Sequence, residues 1–250
     1  MDYTKLGQAN GGVPVGPTGG GTEPSSPVSI SRVDVSNAVP MLQLAWALTK
    51  KHYSVIASAA VIFLLIILAF GRMGSFSILA IVPGVILNAG FLRLFRKMQE
   101  SKTAELSELF IVFRETELMM RLVPIMVVGF GVSALQYFVT REMGFFGSLL
   151  NLFLSLVLVA LTAFSVPLMM FKRIDLMKSI ELNVQATTLN WDFMLAAGMM
   201  LTGLSMICAI LLVLPLFLVA FPISLVSGYF MYVMMFEGAD LSSLQSLDHR

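Results

Sequence analysis

The sequence predicts an all-α, polytopic transmembrane helical bundle. Its six spans form three units, each an interfacial amphipathic helix followed by a transmembrane hairpin, with both termini cytoplasmic. Three observations lead there. Of 250 residues, 57% are apolar and 12% charged, where a soluble domain has about 45–50% and about 25%. The apolar residues gather into runs close to the roughly 20 residues that cross a ~30 Å hydrocarbon core. The basic residues divide unevenly between the segments that join those runs. Mean hydropathy is +0.87, and so few charges cannot cover a water-soluble globule. A soluble enzyme, a nucleic-acid binder and a secreted disulfide scaffold are thereby disfavoured.

Residues 1–40 hold seven of the 19 glycines and five of the 10 prolines. Too little apolar area is present to offset chain entropy, so a disordered cytoplasmic tail is expected. Pro14/Pro17 and Pro24/Pro27 fit a PxxP spacing that such a composition produces by chance. The segment has no basic region leading into an apolar one, so no cleaved signal is expected.

A membrane domain is predicted over 41–237, followed by a short cytoplasmic tail, 238–250. Met41, Leu44, Ala45 and Leu48 form one helical stripe closed by Lys50 and Lys51. Spans then follow at about 54–70 and 75–92. A second amphipathic helix is expected from Leu106, Leu109, Phe110 and Phe113, with Glu105, Glu108 and Glu115 opposite. Spans three and four fall at about 122–139 and 145–171, the latter long enough to kink at Pro167. Met177, Ile180, Val184 and Trp191 predict a third amphipathic face. Spans five and six fall at about 193–213 and 217–236, the turn lying near Pro215 or near Pro222. The three units share a pattern, not identities.

With this threading, fourteen of the 16 basic residues lie on one side and only Arg72 and Arg141 on the other. The positive-inside rule makes the fourteen-residue side cytoplasmic. Trp46 and Trp191, the two tryptophans, both fall at that interface as anchors.

No span carries a charge away from its ends, which argues against a proton- or sodium-coupled transporter. Asn88, Gln136 and Asn151 are the intramembrane polar candidates, either for helix–helix hydrogen bonds or for a substrate. The pairs Ser54/Ser58, Gly129/Ser133, Gly198/Thr202 and Ser224/Gly228 permit close helix approach. Hydrolase, metalloprotease and nucleotide-binding motifs are missing, and the only histidines are His52 and His249. Cys208 is a lone cysteine in an apolar run, so disulfide or cysteine-metal chemistry within one chain is not expected. Glu100, Glu105, Glu108, Glu115 and Glu117, interleaved with bases, read as a solvated helix face. No catalytic residue, cofactor or metal is expected. Arg93, Arg96, Lys97, Lys172 and Arg173 ring the cytoplasmic ends of spans two and four, as candidate contacts to anionic lipid headgroups.

Two stretches carry a resemblance. Residues 84–113 place Gly90, Leu92 and Leu94 before Arg96-Lys97 and Glu108-Leu109-Phe110. Residues 164–237 add Pro167, Asn190-Trp191 and a closing Tyr229, Tyr232 and Phe236. Together they resemble a loose group of uncharacterised bacterial six-span membrane proteins. That group includes the membrane domain attached to some glycerophosphoryl diester phosphodiesterases. The resemblance implies a bacterial inner-membrane location and a shared helical fold, and no reaction, because no phosphodiesterase domain is present. The expected function is a non-catalytic accessory, scaffold or lipid-organising component. Its expected partners are membrane lipids and either copies of itself or a larger membrane complex. The alternative is a transporter or channel for a neutral or lipid-like substrate.

Overall fold

The computed structural model describes residues 28–73, 79–100, 104–211, 215–240 and 244; for 140–144, 156–161 and 211 it describes the backbone alone. Among the described residues the chain is helical, with no strand. Four helical stretches are long and apolar enough to cross a membrane: Tyr53–Gly71, Thr116–Val139, Trp191–Ile210 and Leu216–Phe236.

The chain enters through a short strap without regular secondary structure, residues 28–33, and a 3₁₀ turn Val35–Asn37 capped by the Asp34 carboxylate. Residues 28–40 therefore belong to the folded body, a correction to the expected tail over 1–40; residues 1–27 lie outside the described residues. Ser31 donates its N–H to the Met235 carbonyl at 2.8 Å. Helix α1, Ala38–Lys51, follows. Its expected stripe of Met41, Leu44, Ala45 and Leu48 is buried, packed chiefly against the last helix. Pro40 sits in the first turn, where its missing N–H has no intrahelical partner to lose.

Helix α2, Tyr53–Gly71, is apolar all round and buries only Ile56, Ala59 and Ala60. Helix α3, Ile81–Gln99, begins later than the expected 75–92 span and continues through Arg93, Arg96 and Lys97. The described uncharged stretch from Ile81 to Leu92 rises about 18 Å at 1.5 Å per residue; residues 75–78 of the expected span lie outside the described residues.

The expected helix through 105–115 is instead a 3₁₀ turn, Leu106–Phe110, followed by one turn of α4, Ile111–Arg114. Only Leu109 of the predicted stripe is fully buried, while Phe113 is 61% exposed. The cause lies at Gly90. A Cβ there would stand 2.1 Å from the Leu109 carbonyl oxygen, so the two backbones touch directly.

Helix α5 is assigned from Thr116 to Thr162, yet it is no straight rod. Gln136 donates to Ser155 Oγ at 2.8 Å, although 19 residues of straight helix would separate them by about 28 Å. The chain must reverse between them. The long run then breaks at 163–164, not at the expected Pro167, which stands in the first turn of α6, Ser165–Phe171. The fully buried Asn183 accepts the Phe164 N–H at 3.0 Å and stabilises this break.

Helix α7, Leu176–Leu189, and α8, Trp191–Leu211, meet at Asn190. After the described part of α8 ends at Leu211, the next helix starts at Pro215 and runs unbroken past Pro222. The expected turn therefore does not fall at Pro222, and residues 212–214, beside Pro215, lie outside the described residues. A π-helical stretch, Leu216–Ala220, precedes α9, Phe221–Phe236; Phe221 N–H bonds to the Leu216 carbonyl. The wider winding suits Pro222, whose ring would crowd a normal α-helical carbonyl four residues earlier. Helix α9 is the core element, burying twelve side chains from Pro222 to Phe236.

Candidate functional site

One end of the bundle collects the charges. The last turns of α3 carry Arg93, Arg96 and Lys97, because the apolar pattern of that helix gives way to bases near its C-terminus, where cations suit the helix dipole. Facing them is the tight turn at 106–110. Its Glu108 is buried, with a side chain only 10% exposed, and it bonds to Lys97 Nζ. Arg93 reaches Glu108 and Glu115, each at 3.9 Å. Glu108 is therefore no part of a solvated helix face, contrary to expectation. A carboxylate this poorly solvated persists because two cations flank it. The Gly90 contact with Leu109 brings it within their reach.

Arg96 faces the other way. It bonds to Glu237 at 3.2 Å and Glu100 at 3.6 Å, and its guanidinium lies 4.5 Å from the Phe171 ring centroid. Phe171 in turn packs on Tyr232, and Tyr232 on Phe236. One turn earlier on α9, Tyr229 donates its hydroxyl to Gln99 Oε1 at 2.6 Å. Beside Arg96 opens a cleft of about 370 Å³, lined by Ser29, Arg96, Phe171, Lys172, Phe236 and Glu237. Lys172 ends α6 and has no carboxylate partner among the described residues. Arg173, next to it, is exposed and adopts a left-handed backbone, φ 55°.

The strap forms one side of this cleft. Asn190 holds it, accepting the Val33 N–H at 2.6 Å and donating to the Ser31 carbonyl at 3.2 Å. Asn190 also donates to Ala186 at 3.1 Å, which fixes the bend between α7 and α8. Arg32 adds a long ion pair to Asp192, 4.0 Å.

The five expected basic contacts thus divide. Arg93 and Lys97 are bound into carboxylate pairs, Arg96 joins a pair and the cleft together, and only Lys172 and Arg173 stay clear of ion pairs among the described residues. A sequence pattern of bases could not reveal this, because the neutralising acids Glu108 and Glu237 come from other elements. Strap residue Ser29 and the clamp Asn190 carried no sequence signal for this site beyond their polarity.

The three amides expected within the membrane, Asn88, Gln136 and Asn151, do not assemble into one polar site. Gln136 bonds to Ser155, whose hydroxyl donates to the backbone carbonyl of Asn151 at 2.8 Å. Asn88 is half-buried and bonds to neither. Trp46 and Trp191 are exposed, 47% and 63%. Among the described residues, no group of His, Cys, Asp and Glu could hold a metal ion. Comparison with protein-family models, with curated proteins and with solved structures gives no match.

Proposed function

We propose that this chain is a bacterial inner-membrane protein with no catalytic role, an accessory or lipid-organising component whose charged end lies at the cytoplasmic leaflet. The reading keeps six membrane segments in three units, with the short apolar part of α3 and the second arm of α5 completing hairpins with their long partners. It is in keeping with the bacterial six-span group resembled above.

The observation that carries it is the division of α7 into three faces. Leu182, Asn183 and Ala186 face the protein. Lys178, Glu181 and Gln185 form a charged and polar face, tied together by hydrogen bonds. Met177 and Val184 stand exposed on the remaining face, 74% and 40%, leading to Trp191. A helix with one face on protein, one in water and one bare apolar face suits a bilayer interface. The exposed side chains of α8, such as Met199, Met206 and Ile210, continue that apolar surface.

Quenching of tryptophan emission by brominated lipids tests it, since Trp46 and Trp191 are the only fluorophores of that type. Shallow bromines should quench both. Emission from Trp191 that no brominated lipid quenches would overturn the reading. Self-association belongs to the same proposal; a strictly monomeric particle without partners in native-membrane extracts would count against it.

A second reading, passage of a neutral or lipid-like substrate, draws on Asn88 alone. It lies half-buried four residues after Gly84 and has no hydrogen-bond partner among the described residues. Passage that survives Asn88→Leu unchanged would dismiss that assignment.

A further inference from the structure

The cleft at the charged end holds both signs of charge, which narrows its ligand. Glu237 would repel a simple anion, and Lys172 a simple cation. Arg96 engages Glu237 through Oε1 at 3.2 Å and is steadied by Glu100 and the Phe171 ring. Glu237 is thus fixed in place and lines the cleft, where its carboxylate can accept from an ammonium group. Lys172 lines the same space without a carboxylate of its own among the described residues, and Ser29 adds a hydroxyl. Phe171 and Phe236 supply apolar walls. A volume of about 370 Å³ sits at the small end of ligand sites, so it admits a headgroup and not a whole lipid.

We propose that this cleft binds a phospholipid headgroup that joins a phosphate to a primary amine. The phosphate lies against Lys172 and Ser29, and the ammonium against Glu237. This rests on the membrane reading above, which places the cleft at leaflet depth. The same chemistry occurs in soluble phosphoethanolamine, but that interfacial position favours the lipid.

The test is native mass spectrometry of the full chain released from nanodiscs that contain equal phosphatidylethanolamine, phosphatidylglycerol and phosphatidylcholine. The parent should retain phosphatidylethanolamine about tenfold over the other two, the size of one charge-assisted hydrogen bond. Glu237→Gln keeps an acceptor for Arg96 and should erase that preference. Lys172→Gln should lower retention of all three lipids by a similar factor. Matching circular dichroism of both variants shows that the fold is kept. Equal retention of the three lipids by the parent, or parent-like retention by Lys172→Gln, overturns the proposal. Complete displacement of the lipid by soluble phosphoethanolamine overturns the assignment to lipid. Failure here with Trp46 and Trp191 still quenched by shallow bromines removes the cleft proposal alone. Loss of quenching removes the membrane reading with it.

Discussion

Gly90→Ala and Gly84→Ala are the same substitution in the same helix, and the structure gives them opposite signs. At Gly84 a Cβ meets nothing within 4 Å, so only the helix-propensity gain of up to ~1 kcal/mol acts. At Gly90 the new carbon would stand 2.1 Å from the Leu109 oxygen and 2.6 Å from its carbonyl carbon and Cα. Those are backbone atoms and cannot rotate aside. Reaching ordinary contact at 3.4 Å needs α3 and the 106–110 turn to part by about 1.3 Å. Overpacking of this kind costs about 1–3 kcal/mol. The same movement pulls Glu108 from Lys97 and Arg93, and a charge-assisted hydrogen bond contributes about 1.5–3 kcal/mol. Less the propensity gain, the net loss is about 3 kcal/mol. Cys208 supplies the assay, being the single cysteine and only 6% exposed. A thiol-reactive dye should report unfolding on heating in detergent. Gly90→Ala should react at a lower temperature than the parent, and Gly84→Ala at the same or a higher one. A joint shift of the two variants in either direction would refute the close-contact argument.

Three more outcomes are expected. Asn190→Ala removes the strap clamp, a local loss of about 2–3 kcal/mol from buried hydrogen bonds, and trypsin should cut faster after Arg32 while the bundle's far-UV spectrum holds. Gln136→Leu should cost no more than ~1 kcal/mol in an SDS unfolding titration, as membrane hydrogen bonds of this type do, because Ser155 keeps its bond to Asn151. The Asp34 carboxyl is held below the ordinary aspartate range by hydrogen bonds from the Ser36 side chain and backbone. Its folded pKa lies below its unfolded one, so the cap stabilises at neutral pH and is lost as pH falls through the lowered value. Titration of the Asp34 carboxyl resonance should show a midpoint below the ~3.9 of a free aspartate, and Ser36→Gly should raise it.

Helix content and the apolar runs were legible because period and length are local properties. Tyr53–Gly71 and Leu216–Phe236 agree with the reading within a residue or two. What escaped were features fixed by partners far away in sequence. Leu106–Phe113 has a clean helical stripe, but Gly90 draws its backbone too close for the stripe to be used. Val33 looks like any residue of a polar tail until Asn190, 157 positions on, accepts its N–H. Arg93 and Lys97 look like free bases until Glu108 is turned inward between them. Pro167 drew attention as a kink, whereas Asn183, an ordinary amide in the sequence, stabilises the actual break. In the candidate site, the bases were visible and the acids that sort them were not.

The strap also sets the order in which the molecule can be completed. Ser31 and Val33 leave the ribosome well before their partners, which are the carbonyl of Met235 and Asn190. The buried stripe of α1 likewise waits for α9. Contacts of such sequence separation form late, and here they cannot form at all until α8 and α9 have been synthesised. Until then α1 carries Met41, Leu44 and Leu48 without their cover. The interval between insertion of α2 and arrival of α9 is the period when a chaperone, or a second nascent chain, would find its surface.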